Sequence, residues 1–222
     1  MATDYSWHEE AYQRRKREGA AGFDKEQQSY TRFQQISATQ MASPHVPRSG
    51  RLLELGCGAG NMTLWLVERG YQVSAIDLAP TAIAWTRERL AQAGRAAELR
   101  VGSVLELSEW PALSFDVVFD SRCLHCIIGE DRAKCLASIR RVLKPGGALL
   151  VCSMMRNART PEIRGFDPAT GLVRRGEQAI RYIGTPELLS AELERAGLRV
   201  AETGCDTEGD VCDDFLAIAI KS

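Results

Sequence analysis

The stretch Arg51-Leu52-Leu53-Glu54-Leu55-Gly56-Cys57-Gly58-Ala59-Gly60-Asn61 decides the fold. An apolar run meets three glycines at alternate positions, and a helical pattern over residues 61–69 follows, closed by Gly70. Such a pattern describes a strand that turns tightly into a helix. Glycine brings no side chain to such a turn, so a ligand can approach the backbone closely. The helix N-terminus beside it offers free N–H groups. A glycine pattern of this kind also occurs in turns that hold no ligand, so its neighbours must decide.

Outward toward the C-terminus the pattern alternates. Residues 72–77, 97–102, 115–120 and 148–153 read as strands, and residues 80–93 and 130–143 as helices. Thr185 and Pro186 open a further helix that ends at Gly197, and residues 198–203 and 214–220 are the last two strands. Strands alternating with helices predict an α/β fold: a doubly wound, mostly parallel sheet with helices on both faces. Outward toward the N-terminus, Pro44, Pro47, Ser49 and Gly50 break the chain. Before them, residues 7–17 and 27–41 read as polar helices. We expect two parts: an N-terminal helical segment, 1–48, and an α/β domain, 49–222. Residues 156–184 interrupt the domain with an arginine- and glycine-rich insertion of no clear period.

Three companions give the glycine turn a meaning. Asp77 ends the next strand, where an acidic side chain can accept both hydroxyls of a ribose. Asp120 ends the strand Phe115-Asp116-Val117-Val118-Phe119-Asp120, at the carboxyl edge where open α/β sheets bind ligands; Asp116, at its start, is the structural member of the pair. Lys144-Pro145-Gly146-Gly147 forms the turn into the next strand. The spacing also excludes rivals. A dinucleotide fingerprint needs glycine where Asn61 stands. The phosphate loop ending Gly-Lys-Ser/Thr and the Gly-x-Ser-x-Gly elbow are both absent.

Together these segments resemble the class I S-adenosylmethionine-dependent methyltransferases. Leu52 to Gly60 is similar to their first motif, and Asp77 to the acid ending their second strand. Phe115 to Asp120 is similar to their fourth-strand motif. Leu143-Lys144-Pro145-Gly146-Gly147-Ala148-Leu149-Leu150-Val151 is similar to the segment entering their fifth. The resemblance covers roughly residues 50–155. It implies a seven-stranded sheet whose last strand runs antiparallel, and S-adenosylmethionine as cofactor. It implies that Glu54 and the backbone of Gly56, Cys57, Gly58 and Gly60 hold the methionine part. Asp77 would bind the ribose, Leu78 would lie beside the adenine, and Ser103 and Val104 would meet its edge. Many members carry an acid where Ser103 stands. In similar small-molecule enzymes an N-terminal helix closes over the cofactor, which implicates Trp7 and Tyr12.

Methyl transfer is an in-line displacement, for which the protein mainly aligns and desolvates. A protonated nucleophile also needs a base. His125, just past the fourth strand in Ser121-Arg122-Cys123-Leu124-His125-Cys126, is the candidate, with a backbone-bonded loop histidine as the alternative. Arg122 and Cys123 are candidate substrate contacts. His8 and His45 read as surface residues. Cys123 and Cys126 lack a second pair at zinc spacing, so no metal is expected. The insertion carries six arginines against Glu162, Asp167 and Glu177 over residues 156–181. An anionic or carboxylate-bearing substrate and a solvated loop both fit that excess.

The bulk composition agrees with a globular enzyme. The 222 residues suffice for one large domain, with 45% apolar and 26% charged residues. A net charge of −1 gives no reason to expect a polyanionic partner. No apolar run is long enough to cross a bilayer, and Met1-Ala2-Thr3-Asp4-Tyr5-Ser6-Trp7 has no signal-peptide character. Seven cysteines, several in apolar patterns, read as reduced buried thiols. The expectation is a cytoplasmic methyltransferase acting on an O, N or S nucleophile of a small molecule. One rival is a methyltransferase acting on protein or RNA. Asp120-Ser121-Arg122-Cys123, in place of an Asn-Pro-Pro-Tyr-like tetrapeptide, argues against amide or base acceptors. The other rival is a non-catalytic cofactor-binding module.

Overall fold

The computed structural model describes residues 3–208 and 211–222. Met1 and Ala2 of the N-terminal segment, and Gly209 and Asp210 before the last strand, lie outside them. Two helices, α1 (Trp7–Arg17) and α2 (Gln27–Met41), precede the first strand. The alternating part follows as β1 (Arg51–Leu55), α3 (Asn61–Glu68), β2 (Gln72–Asp77), α4 (Pro80–Gln92) and β3 (Glu98–Val101). It continues with β4 (Phe115–Asp120), α5 (Asp131–Val142) and β5 (Leu143–Met155). After an insertion come α6 (Pro186–Arg195), β9 (Leu198–Asp206) and β10 (Asp213–Lys221). Thr185 caps α6, its side chain accepting from the Leu188 N–H at 3.4 Å.

The sheet order is β3-β2-β1-β4-β5-β10-β9. Strands β1 to β5 pair in parallel, and β10 runs antiparallel to both its neighbours. The seven-stranded, doubly wound sheet is thus present, with its last strand reversed. Successive side chains on a strand face opposite ways, and here they feed two separate cores. Leu53, Val118 and Leu149 pack with Leu136 and Ile139 of α5 and Leu189 and Leu193 of α6. Leu52, Val117 and Leu150 pack with Phe33 and Met41 of α2 and Met62 and Leu66 of α3. These apolar doublets are why the strands read as continuous hydrophobic runs.

Two regions differ from the sequence expectation. Strand β5 begins at Leu143, five residues before the expected start at Ala148, with a register irregularity against β4 between Phe115 and Val117. Asp116 ties this corner together: it accepts from the Arg51 N–H at 2.9 Å and from Lys144 Nζ at 2.7 Å. The insertion, which showed no period, is a small antiparallel sheet of β6 (Phe166–Asp167), β7 (Leu172–Arg175) and β8 (Gln178–Tyr182). Its strands are two to five residues long and mostly half-exposed. Strands so short hold no full alternation to read.

Candidate active site

The sheet order reverses between β1 and β4, leaving a crevice beyond their carboxyl ends, the place where open α/β sheets take ligands. A cavity of about 540 Å³ lies there. Its floor is the turn after β1. The Gly56 and Cys57 N–H groups donate to the Ile76 carbonyl at 2.9 and 3.1 Å, so the turn is pinned to the neighbouring strand. The Gly58 N–H donates to Asp77 Oδ2 at 2.9 Å. Gly58 holds φ +56°, and a Cβ there would meet the Tyr12 hydroxyl at 2.7 Å. Gly60 faces the other way. A Cβ on it would lie 2.9 Å from Thr86 Cα, so this glycine lets α4 close against the start of α3.

Gly56, Cys57, Gly58, Asp77, Leu78, Ser103 and Val104 line the cavity, as do Tyr12, Arg122, Cys123 and His125. Glu54, Gly60 and Asp120 do not reach its wall. Glu54 is fully buried; its Oε2 accepts from the Thr63 hydroxyl at 2.6 Å, while Oε1 has no partner among the described residues. Asp120 Oδ1 accepts from the Cys123 and Leu124 N–H groups at 2.7 and 2.9 Å, which fixes the turn carrying His125; its buried Oδ2 has no partner among the described residues. Trp7 stands behind the wall, stacked on His8 at 3.8 Å between ring centres.

The three carboxyls at the ends of β1, β2 and β4 share an electrostatic character. Burial pushes Glu54 up to about 8, and the neighbouring Asp77 charge adds to the rise. Burial raises Asp120 to about 7 and Asp77 to about 6, against the backbone N–H groups that favour their ionised forms. Removing acids from water disfavours their charge unless a cation arrives to compensate. This end of the cavity is therefore built to receive positive charge.

The part of the wall around the turn after β4 is built differently. His125 is buried, its Nδ1 is without a partner, and burial together with Arg181, Arg122 and Arg132 pushes it well below its usual range. His8, expected on the surface, is instead a wall residue: α1 lies across the mouth of the cavity and brings it in. Burial holds His8 down at about 4. Helix α1 is anchored at both ends. Glu9 accepts from the Thr81 N–H at 3.0 Å, Lys16 bridges Glu88 at 2.6 Å, and Tyr5 of the preceding segment bonds Ile128 and Asp131. Of the basic run Arg14 to Arg17, Arg14 and Arg17 are exposed, while Arg15 and Lys16 are half-buried. Arg122, at φ +57°, reaches Asp214 at 2.5 Å. Sequence reasoning singles out Arg181 only as one of the six arginines of the insertion, and it misses Tyr5, His8, Phe23 and Tyr30 on this wall. Their only signal was the aromatic density of the N-terminal segment.

All seven cysteines are free, and Cys57, Cys123, Cys126 and Cys212 line the cavity. Burial raises the Cys57 and Cys123 thiols well above their usual range, which keeps them neutral. Among the described residues no cluster of His, Cys, Asp and Glu is spaced to hold a metal ion. Among them, too, no helix is long and apolar enough to cross a membrane.

Residues 53–151 match the family model described as a methyltransferase domain. The chain is 30% identical over 158 residues to the ubiquinone biosynthesis O-methyltransferase of Xanthomonas axonopodis pv. citri, covering 70% of this chain and 65% of that one. It is 32% identical over 164 residues to the enzyme of the same name from Xylella fastidiosa, covering 72% and 65%. The chain thus spans slightly less than two thirds of the length of these relatives. A SAM-dependent methyltransferase from Methanosarcina mazei shares the fold with a TM-score of 0.67 at 23% identity, over 80% of this chain and 94% of that one.

Proposed function

Since the chain belongs to the class I S-adenosylmethionine-dependent methyltransferase family, we propose that it transfers a methyl group from S-adenosylmethionine to an O, N or S nucleophile of a small molecule. One observation carries the reading: the buried carboxyls of Glu54, Asp77 and Asp120 gather at the glycine turn that floors a cavity of small-molecule size, Asp77 on its wall and the other two behind it.

The cofactor's chemistry fits that end. Its sulfonium and ammonium groups are cationic, and the unpartnered oxygens of Glu54 and Asp120 are buried acceptors in want of positive charge. Asp77 spends one lone pair of each oxygen on the Gly58 and Ala79 N–H groups and keeps others for a ribose diol. Leu78 lines the cavity while 42% exposed, an apolar surface suited to an adenine face. Ser103 and Val104 follow at its edge. Gly56, Cys57 and Gly58 offer a floor without bulk for the methionine part, and Glu54 and Asp120 act from behind the wall through their charge. When bound, S-adenosylmethionine supplies a methyl on positively charged sulfur, which an in-line lone pair displaces to leave a neutral thioether.

The remaining residues align the acceptor and receive its proton. Burial and the nearby arginines keep His125 neutral, so its ring has an unprotonated nitrogen with which to accept from an O–H or N–H nucleophile. Tyr12 and Trp7, on the helix across the mouth, exclude water as a lid over residues of the 49–222 domain. Cys123 and Arg122 border the methyl position. The free thiols suit a reducing compartment, the cytosol in our reading. Calorimetric titration with S-adenosylmethionine tests the core of the proposal. Saturable binding at one site per chain is expected, and its absence would defeat the enzyme reading.

A further inference from the structure

Arg181 sits on β8, which packs against the turn carrying His125. Its side chain lines the cavity. The guanidinium carbon stands 5.0 Å from the Trp7 ring centre and 5.8 Å from that of Phe23. Two aromatic faces hold the group in place without neutralising it. Nη1 donates to the Ile180 carbonyl of its own strand at 2.7 Å, which further fixes its aim. Among the described residues no carboxylate comes within 4.0 Å of it. The other arginine on the wall, Arg122, is already answered by Asp214 at 2.5 Å and Asp24 at 4.0 Å.

The cavity therefore has buried acids at its glycine floor and, on its wall, one guanidinium with no carboxylate partner among the described residues. The geometry points to a methyl acceptor that carries a single carboxylate on an apolar body, clasped by Arg181 with its nucleophile turned toward His125; this rests on the methyltransferase reading above. The surroundings select a monoanion. His8 and His125 are held neutral, so among the described residues on the cavity wall Arg181 is the one cation with no carboxylate beside it, and one planar guanidinium matches one carboxylate through two parallel N–H bonds. A phosphate dianion would need further cations. The body meets Tyr5, Tyr12, Phe23 and Phe33. Binding also couples to proton transfer. Burial is the main cause of the low basicity of His125 and the Arg181 charge adds to it, so a bound anion that offsets Arg181 raises the basicity of the imidazole.

The test uses purified full-length protein saturated with S-adenosylhomocysteine, read through tryptophan fluorescence and calorimetry. The probes are benzoate, phenylacetate and octanoate, each paired with its neutral amide. At least one acid should bind ten times or more tightly than its amide, and Arg181→Met should erase that preference. Arg181→Lys, which keeps the charge but loses the fork, should recover part of it. The affinity of both variants for S-adenosylmethionine should match wild type, with unchanged melting temperatures confirming their fold. The inference is overturned if no acid binds, if amides bind equally well, or if Arg181→Met keeps the preference. Failure of the methyltransferase reading looks different, because wild-type protein would then bind neither S-adenosylmethionine nor its demethylated product.

Discussion

The two ends of the cavity are built by opposite means. The acidic end is made of strand termini and the turn between β1 and α3, so its parts are the sheet itself. Glu54, Asp77 and Asp120 sit at the carboxyl ends of three neighbouring strands, and the sheet order places them together. The cationic end is made of covers: helix α1, the short turn at residues 124–126, and strand β8 of the inserted sheet. Its wall comes together only because these three segments meet over the crevice. A binding end carried by the scaffold suits a cofactor that is the same across a family. An end carried by covers can change its occupant without disturbing the scaffold.

Four measurements would sharpen or break that contrast. The largest effect is expected at His125. His125→Ala should lower turnover about a hundredfold, the usual scale for a general base, while cofactor affinity by calorimetry stays at the wild-type value. Loss of both would mean that the two ends are not separable. Next, Asp77→Ala should weaken S-adenosylmethionine by about 1.5–3 kcal/mol, the scale of a hydrogen bond to a charged group. That is roughly ten- to a hundredfold. An unchanged dissociation constant would show the cofactor to lie elsewhere.

The third measurement is a pH profile. Glu54, Asp120 and Asp77 hold their protons in the fold up to about 8, 7 and 6, while in the unfolded chain they ionise near 4.5, 3.8 and 3.8. Unfolding between these limits releases protons. These acids therefore contribute stability that is full below their unfolded values and is lost as pH rises through 6, 7 and 8, by about 1.4 kcal/mol per pH unit for each such proton, while His8 and His125, depressed in the fold, act with the opposite sign up to about pH 6.5, so the fall of cofactor-free protein should show between pH 6.5 and 8. Glu54→Gln should flatten the curve between pH 7 and 8, where Glu54 alone still titrates. S-adenosylmethionine should drive protons off at pH 6 to 7, seen as a binding heat that depends on the buffer. A heat independent of buffer would sever the link between cationic ligand and acidic end. The smallest effect is expected at Trp7. Trp7→Leu removes one of the rings holding Arg181 and should cost about 0.5–1 kcal/mol in acceptor binding, the scale of a cation–π contact, with cofactor affinity kept.

This division also explains what could be read in advance. The glycine turn, Asp77 and the alternation over residues 51–153 are local patterns, and each has one structural consequence. The apolar doublets at 52–53, 117–118 and 149–150 announced strands buried on both faces, and the two cores confirm it. Gly60 shares the motif that implies a ligand contact, but its close neighbour is Thr86, a partner no local pattern names. A polar helix predicts exposure for His8. Its burial depends on where α1 docks. Strand β8 was invisible because it is five residues long and half-buried throughout.

What the sequence by itself determined was the scaffold and the kind of cofactor end. Strands buried on both faces and glycines at left-handed turns admit few alternatives, because burial and backbone sterics act locally. Only the tertiary structure decided the other end. Arg181 became an unanswered cation, and Arg122 an answered one, through the positions of Asp214, Asp24 and two aromatic rings from distant parts of the chain. Charge compensation depends on distance in space, and no run of residues encodes it.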